Sequence, residues 1–184
     1  MKRFLGNMFF KLAGWKLKAE ITEEMKHSVM VAAPHTSNWD FPYALAAFWV
    51  MGLDLKYFIK DLYTKGLHGY FFRWTGAVGV NRSKTRNNLT DYAIEQLKSK
   101  KMVVLVPAEG TRKWVPKWKT GFYRIAIEAK VPISLGYLDY DKKEAGVLGV
   151  YHPTGVFEED MTYIQEVYRN IGPKHKKDYN PQIF

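Results

Sequence analysis

Two side chains suited to acid–base chemistry, His35 and Asp40, are separated by four residues and lie between two apolar runs. The runs at residues 28–33 and 41–53 predict a strand, a loop and a helix. His35 would follow the strand and Asp40 would open the helix, within reach of the His35 Nδ1–H. A carboxylate there fixes the imidazole tautomer and leaves Nε2 as a general base. No serine or cysteine has a recognisable nucleophile setting, so we predict a His–Asp dyad that activates a substrate hydroxyl.

The same pattern has two plainer interpretations. Asp40 could be only a helix N-cap, and His35 a hydrogen-bonded residue at the end of a strand. A metal site is not predicted, because the other histidines are scattered singly without ligand spacing: His27, His68, His152 and His175.

A cluster of cations follows the short apolar stretch at residues 76–80. Arg82, Lys84 and Arg86, together with the neutral Asn81, lie where a strand gives way to a helix that Ser83 would cap. Backbone N–H groups and the helix dipole favour phosphate at such a point. The alternative is a solvated basic turn.

The clearest strand, residues 101–106, leads into a second polar group at its carboxyl end. Glu109, Gly110, Thr111 and Arg112 could form a site in which the glycine lets backbone approach a ligand and the arginine binds phosphate oxygens. Glu109 and Arg112 could instead pair with each other. The loop 113–119, where tryptophans alternate with lysines, suits a lipid interface, stacking on single-stranded nucleic acid, or ordinary packing.

The bulk properties restrict the class of protein. The chain has 184 residues, enough for one domain with a core, and a net charge of +10 that favours an anionic partner: nucleic acid, an anionic bilayer or a phosphorylated substrate. The absence of cysteine excludes disulfides and thiolate sites. No apolar run approaches the ~20 residues that span a bilayer, and no secretory signal is predicted.

The N-terminal stretch predicts a basic amphipathic helix over residues 2–18, within an interfacial segment 1–20. Such a helix could lie on an anionic membrane, or its apolar stripe could pack on the core. The remaining elements predict one α/β domain with a mixed, mostly parallel sheet flanked by helices. Strands are expected at 55–60, 76–80, 131–137 and 145–151 (the last at the sheet edge), helices at 62–74, 83–100, 122–129 and 159–170, and a loosely held tail from 174.

Several short blocks, taken in order, resemble the lysophospholipid acyltransferases, typified by bacterial 1-acyl-glycerol-3-phosphate acyltransferase. That family is marked by His-x-Ser-x-x-Asp, a hydrophobic residue before Asp/Asn-Arg, Phe-Pro-Glu-Gly-Thr/Ser-Arg, Lys-x-Gly and a Val-Pro-Ile strand. The matching blocks lie at residues 35–40, 80–82, 109–112, 119–121 and 131–133, within a motif-bearing core of 28–140. The chain departs from the pattern at Pro34, Ala108 and Leu135, none of which removes a catalytic side chain.

The resemblance implies an O-acyltransferase in which His35 deprotonates an acceptor hydroxyl and Asp40 orients His35. The acyl donor would be acyl-CoA or acyl-carrier protein, and no metal or tightly bound organic cofactor is required. Acceptor binding would fall to Asn81, Arg82, Lys84, Glu109, Gly110, Thr111, Arg112 and Lys119, with N–H groups near Gly110 and Thr111 facing the oxyanion. The acyl chain would use helix 41–53 and the aromatic residues Tyr70, Phe71, Phe72 and Trp74.

The expected acceptor is a membrane lysophospholipid, and the expected location is the cytoplasmic face of an anionic membrane, as a peripheral protein. A lyso-aminolipid acceptor, a hydrolase of the same fold and a non-catalytic basic module for nucleic acid are the alternatives. Nucleic acid is not the expected partner, because it leaves the His–Asp and Glu-Gly-Thr-Arg stretches without a purpose.

Overall fold

The computed structural model describes residues 1–80 and 89–184. Its helices are α1 (Lys2–Ala13), α2 (Asp40–Met51), α3 (Gly66–Thr75), α4 (Leu89–Ser99), α5 (Gly121–Ala129) and α6 (Phe157–Tyr168). Its strands are β1 (Lys16–Lys18), β2 (Ser28–Ala32), β3 (Leu55–Lys60), β4 (Ala77–Val80), β5 (Val103–Pro107), β6 (Ile133–Asp139) and β7 (Glu144–Tyr151). Short 3-10 turns lie at Glu24–Lys26, Asp61–Thr64 and Lys176–Asp178.

The described strands form one sheet in the order β1-β7-β6-β2-β5-β3-β4. The pair β6–β7 is antiparallel, and the other pairs described are parallel. The carboxyl ends of β2, β5 and β6 therefore meet at one edge of the sheet, where open α/β sheets bind ligands. The predicted class, a mixed and mostly parallel α/β sheet with flanking helices and an N-terminal helix, is confirmed.

Alternate residues of the central strands pack on opposite faces of the sheet. Val29 and Val31 belong to a core shared with α4, α5 and α6, whereas Met30 belongs to a core shared with α1 and α2. Helix α1 lies directly on α2: a Cβ added at Gly6 would come within 2.7 Å of the Ala46 carbonyl oxygen. Glycine at this position permits the close approach of the two helices.

The predicted helix over residues 2–18 is too long. Helix α1 ends at Ala13, because Gly14 takes a left-handed conformation (φ 69°) and the Trp15 N–H bonds back to the Phe10 carbonyl at 2.9 Å. Residues 16–18 instead form β1, which pairs with β7. Strand β7 therefore lies inside the sheet, and its predicted position at the edge is wrong.

The tail after residue 174 is held in place, contrary to expectation. Ile183 is fully buried. Its N–H donates to the Gln165 side chain at 2.8 Å, and its carbonyl accepts the Trp118 N–H at 2.8 Å. Apolar burial and paired backbone groups together fix this segment.

One predicted helix differs from the structure at its beginning, and the beginning of another lies outside the described residues. The helix predicted over 62–74 divides into the 3-10 turn at Asp61–Thr64 and α3. The helix predicted from Ser83 to residue 100 corresponds to α4, which is described from Leu89 to Ser99. Ser83 lies outside the described residues.

Candidate active site

The loop between β2 and α2 brings His35 against Asp40, the first residue of α2. The Oδ2 atom of Asp40 lies 3.0 Å from the His35 Nδ1 and accepts the N–H groups of Thr36 and Ser37, both at 2.9 Å. The carboxylate thus binds the loop that precedes the helix and does not cap α2, whose N-cap residue is Trp39. An acceptor at Nδ1 favours the tautomer that leaves Nε2 without a proton.

Glu109 supports the same loop from the neighbouring strand. Ala32 is in register with Pro107 of β5, so the residues after the two strands are adjacent. Glu109 is only 3% exposed, and its Oε1 accepts the His35 N–H at 2.8 Å. Its Oε2 is buried without a partner in the described part of the chain. An ion pair with Arg112, the alternative interpretation of this motif, does not occur between these described residues.

Burial raises the pKa of the Glu109 carboxyl to about 7, against 4.5 for the unperturbed group. The folded protein therefore binds this proton more tightly than the unfolded chain. The stability from Glu109 is fully present below pH 4.5 and is lost as pH rises through 7, by about 3 kcal/mol in total.

The variant Glu109→Gln should remove this pH dependence, because glutamine does not titrate but can still accept the His35 N–H. We expect the free energy of unfolding of the native protein, relative to the variant, to fall by about 3 kcal/mol between roughly pH 4.5 and 8. Urea titrations at both pH values measure the difference. Glu159→Gln, an exposed control, should show little change, and a constant difference for Glu109→Gln would contradict the assignment.

Tyr140 is a member of the site that the sequence did not indicate. Its hydroxyl donates to the Asp40 Oδ1 at 2.7 Å, across a separation of 100 residues. Burial, with the bond to Asp40, raises the Tyr140 pKa well above its usual value, so the hydroxyl stays a donor. Tyr140 directly follows β6, which pairs with β2, so the fold brings it to Asp40.

Removing the Tyr140 hydroxyl should impair the orientation of Asp40 without unfolding the protein. We expect Tyr140→Phe to lower kcat by about 3- to 10-fold and leave KM for both substrates nearly unchanged, since one hydrogen bond is lost. Steady-state kinetics measure both constants. Tyr163→Phe, at an exposed tyrosine on α6, is the matched control, and a rise in KM alone would argue against a positioning role.

Gly110 takes a left-handed conformation (φ +66°), and a Cβ added there would lie 2.9 Å from the Lys119 Nζ. The lysine side chain therefore passes directly over the glycine. The Gly110 N–H donates to the Pro107 carbonyl at 3.1 Å, so it is already occupied and is not free to bind an oxyanion.

One cavity of about 1100 Å³ joins the predicted groups. His35, Asp40, Gly110, Thr111, Arg112 and Lys119 all line it. Thr111, Arg112 and Lys119 are exposed. Most of the remaining wall is apolar and comes from α2 and the sheet, including Phe41, Phe48, Met51, Leu55 and Leu105. Asn81, Arg82 and Lys84 lie outside the described residues.

Only part of the region predicted to line an acyl groove lines the large cavity. Helix α2 and Phe72 line the large cavity. Tyr70 and Phe71 are exposed, and Trp74 lines a separate cavity of about 290 Å³ beside Lys2. In the Trp–Lys loop, Trp118 is buried against Tyr168, which is ordinary packing, whereas Trp114 is exposed.

The described residues contain no group of three or more His, Cys, Asp or Glu side chains that could hold a metal ion. Over residues 1–80 and 89–184, the helices are too short or too polar to cross a membrane.

Comparison with known proteins relates this geometry to a family. The model of the acyltransferase family matches residues 16–134, well over half of the chain. The chain is also similar in structure to the 1-acyl-sn-glycerophosphate (LPA) acyltransferase PlsC from Thermotoga maritima, with a TM-score of 0.62 and 20% sequence identity. That match covers 92% of this chain and 77% of the other. No curated protein sequence matches.

The family match covers both the His35–Asp40 loop and the Glu-Gly-Thr-Arg segment, and the shared fold positions them at the same edge of the sheet. The chain therefore belongs to the acyltransferase family and is an acyltransferase enzyme.

Proposed function

We propose that the enzyme transfers a fatty acyl group from acyl-CoA or acyl-carrier protein to a hydroxyl of a lysophospholipid such as 1-acyl-glycerol-3-phosphate. The observation that carries the proposal is the shared cavity, which is lined by His35, by cationic Arg112 and Lys119, and by a mostly apolar wall. A phosphorylated head group and a hydrocarbon chain on one molecule match these two surfaces.

In this proposal His35 is the general base and Asp40 its partner. The Nε2 atom takes the proton of the acceptor hydroxyl while the oxygen attacks the thioester carbonyl carbon. The C–S bond of the tetrahedral intermediate then breaks, and the thiolate takes the proton back from the imidazolium. Asp40 orients the imidazole and stabilises the imidazolium. General-base assistance by His35 contributes ~100- to 10,000-fold to the rate.

The enzyme would work at an anionic membrane as a peripheral protein on the cytoplasmic face. Helix α1 supports this location, because Phe4, Met8 and Leu12 are exposed at intervals of four residues while Phe10 packs on the core. Basic residues lie on the same helix, among them Arg3 and Lys11. An amphipathic helix of this kind can lie in the head-group region.

The direct test supplies the purified protein with acyl-CoA or acyl-carrier protein and a panel of lyso-lipids, and identifies products by mass spectrometry. We expect a diacyl phospholipid in reactions with a phosphate-bearing acceptor. Products only from lyso-aminolipids would change the assigned acceptor. Free fatty acid without a lipid product would indicate a hydrolase, and salt-dependent oligonucleotide binding without acyl transfer would favour the nucleic-acid module.

Arg112→Ala should weaken acceptor binding more than it slows chemistry. Arg112 is exposed at the cavity wall. We therefore expect KM for the acceptor to rise about 10- to 100-fold, with a smaller effect on kcat. Kinetics with a phosphate-bearing lyso-lipid measure both constants. Arg169→Ala, an exposed arginine outside the cavity, is the control, and an equal effect there would remove the phosphate-binding role from Arg112.

A further inference from the structure

Helix α3 turns its apolar stripe toward solvent. Leu67, Tyr70, Phe71 and Trp74 recur at the spacing of a single helix face and are 89%, 70%, 52% and 37% exposed within the described part of the chain. An amphipathic helix of a globular domain usually buries that face. An exposed stripe of this size indicates a surface that binds something apolar.

The stripe continues onto two neighbouring segments. Leu62 and Tyr63 of the preceding 3-10 turn are exposed. At the other end, the Lys2 ammonium lies 4.8 Å from the Trp74 ring and donates to the Trp74 carbonyl at 2.6 Å, which joins α3 to the beginning of α1. We call the α3 stripe with Leu62 and Tyr63 the α3 face.

Cations and aromatic rings are interleaved along the α3 face. The Arg73 guanidinium lies 4.7 Å from the Tyr70 ring, and Lys2 covers Trp74. Lys65 is close by and pairs with Asp61, the acidic residue of this segment. Protein surfaces that lie in the head-group region of a membrane are rich in aromatic residues together with arginine or lysine. Anionic lipids attract the positive charge of such a surface.

The α3 face also borders the large cavity. Tyr63 and Phe72 line that cavity, and the Phe72 ring lies 5.7 Å from that of the exposed Phe71. An apolar surface on the outside of the protein is thus continuous with the wall of the site. A lipid held against the α3 face would lie next to residues that line the cavity.

We propose that the α3 face is a second membrane-binding element, which with α1 holds this side of the cavity against an anionic bilayer. Binding of the bilayer does not require the proposed reaction, whereas delivery of a lyso-lipid to the cavity rests on it. Leu67 and Phe71 insert into the head-group region, and Lys2 and Arg73 contact lipid phosphates.

The test is sedimentation of the full chain with vesicles of phosphatidylcholine containing phosphatidylglycerol. The variant Leu67→Ser/Phe71→Ser should lower the partition coefficient about tenfold, because the two side chains lose apolar contact with the bilayer. The matched control is Ile127→Ser/Val156→Ser. It removes two exposed apolar residues near α5 and α6, which pack on the opposite face of the sheet, and should bind as the native protein does.

Equal binding by both double variants and the native protein would overturn the proposal. So would a native dimer in solution that Leu67→Ser/Phe71→Ser converts to a monomer without a change in vesicle binding, since the α3 face would then join two copies. Thermal unfolding of each variant verifies the fold. Vesicle binding measured with His35→Ala, and turnover measured with detergent-dispersed lyso-lipid, separate failure of this proposal from failure of the proposed reaction.

Discussion

Replacement of His35 by alanine is expected to lower the rate of acyl transfer by about 100- to 10,000-fold while the protein stays folded. The loss follows from the removal of the base that takes the acceptor proton. The fold should survive because the backbone N–H of residue 35 can still donate to Glu109, and the imidazole makes one described side-chain bond, to Asp40.

The rate is measured as thiol release from acyl-CoA with a thiol-reactive dye. The protein contains no cysteine, so the dye reports only the product. His152→Ala is the control, because His152 is an exposed histidine far along the chain from the loop. Turnover by His35→Ala at the native rate would show that the reaction uses another base.

Asp40→Asn should reduce turnover by a similar factor, about 100- to 10,000-fold, with a small effect on stability. The amide oxygen can keep the N–H bonds of Thr36 and Ser37, and the amide nitrogen can face the Tyr140 oxygen. The neutral amide cannot stabilise an imidazolium at the His35 Nδ1, however, so the chemical step loses its charge partner.

A comparison of kcat with the free energy of unfolding separates these roles. Asp40→Asn should lose activity while it remains folded. Asp40→Ala should also lose about 3–5 kcal/mol of stability, because the buried N–H groups of the loop lose their acceptor. Asp54→Asn, at an exposed aspartate that pairs with Lys56, is the control. Native activity in Asp40→Asn would contradict the role of the carboxylate.

The parts of the site that sequence could predict are local. His35 and Asp40 are close in the chain, and the strand–loop–helix pattern around them follows from the apolar runs, so their contact at 3.0 Å could be anticipated. Tyr140 could not, because its bond to Asp40 depends on β6 lying beside β2. No local periodicity specifies which strands become neighbours.

For Glu109, too, the sequence did not predict the hydrogen-bond partner of the side chain. Its motif indicated a site, but offered Arg112 three positions away as a partner. In the structure the Glu109 carboxylate instead accepts a hydrogen bond from the His35 N–H. The register of β2 and β5 decides this, since it puts the two loops side by side.

The predicted length of the helix over residues 2–18 was wrong for a different reason. A glycine in the left-handed conformation ends a helix, and Gly14 ends α1 in this way. The pairing of Lys16–Lys18 with β7 is a long-range contact, and only the folded chain reveals that this short basic stretch is a strand.

The segment from residue 174 onward contacts the loop that carries His35. The His175 N–H donates to the Thr36 Oγ1 at 3.2 Å, and the Lys174 ammonium lies 5.1 Å from the Trp39 ring. Both contacts stabilise the position of this loop. Farther on, buried Ile183 fixes the tail to α6 through Gln165. Removal of residues 174–184 would therefore loosen the loop that carries His35.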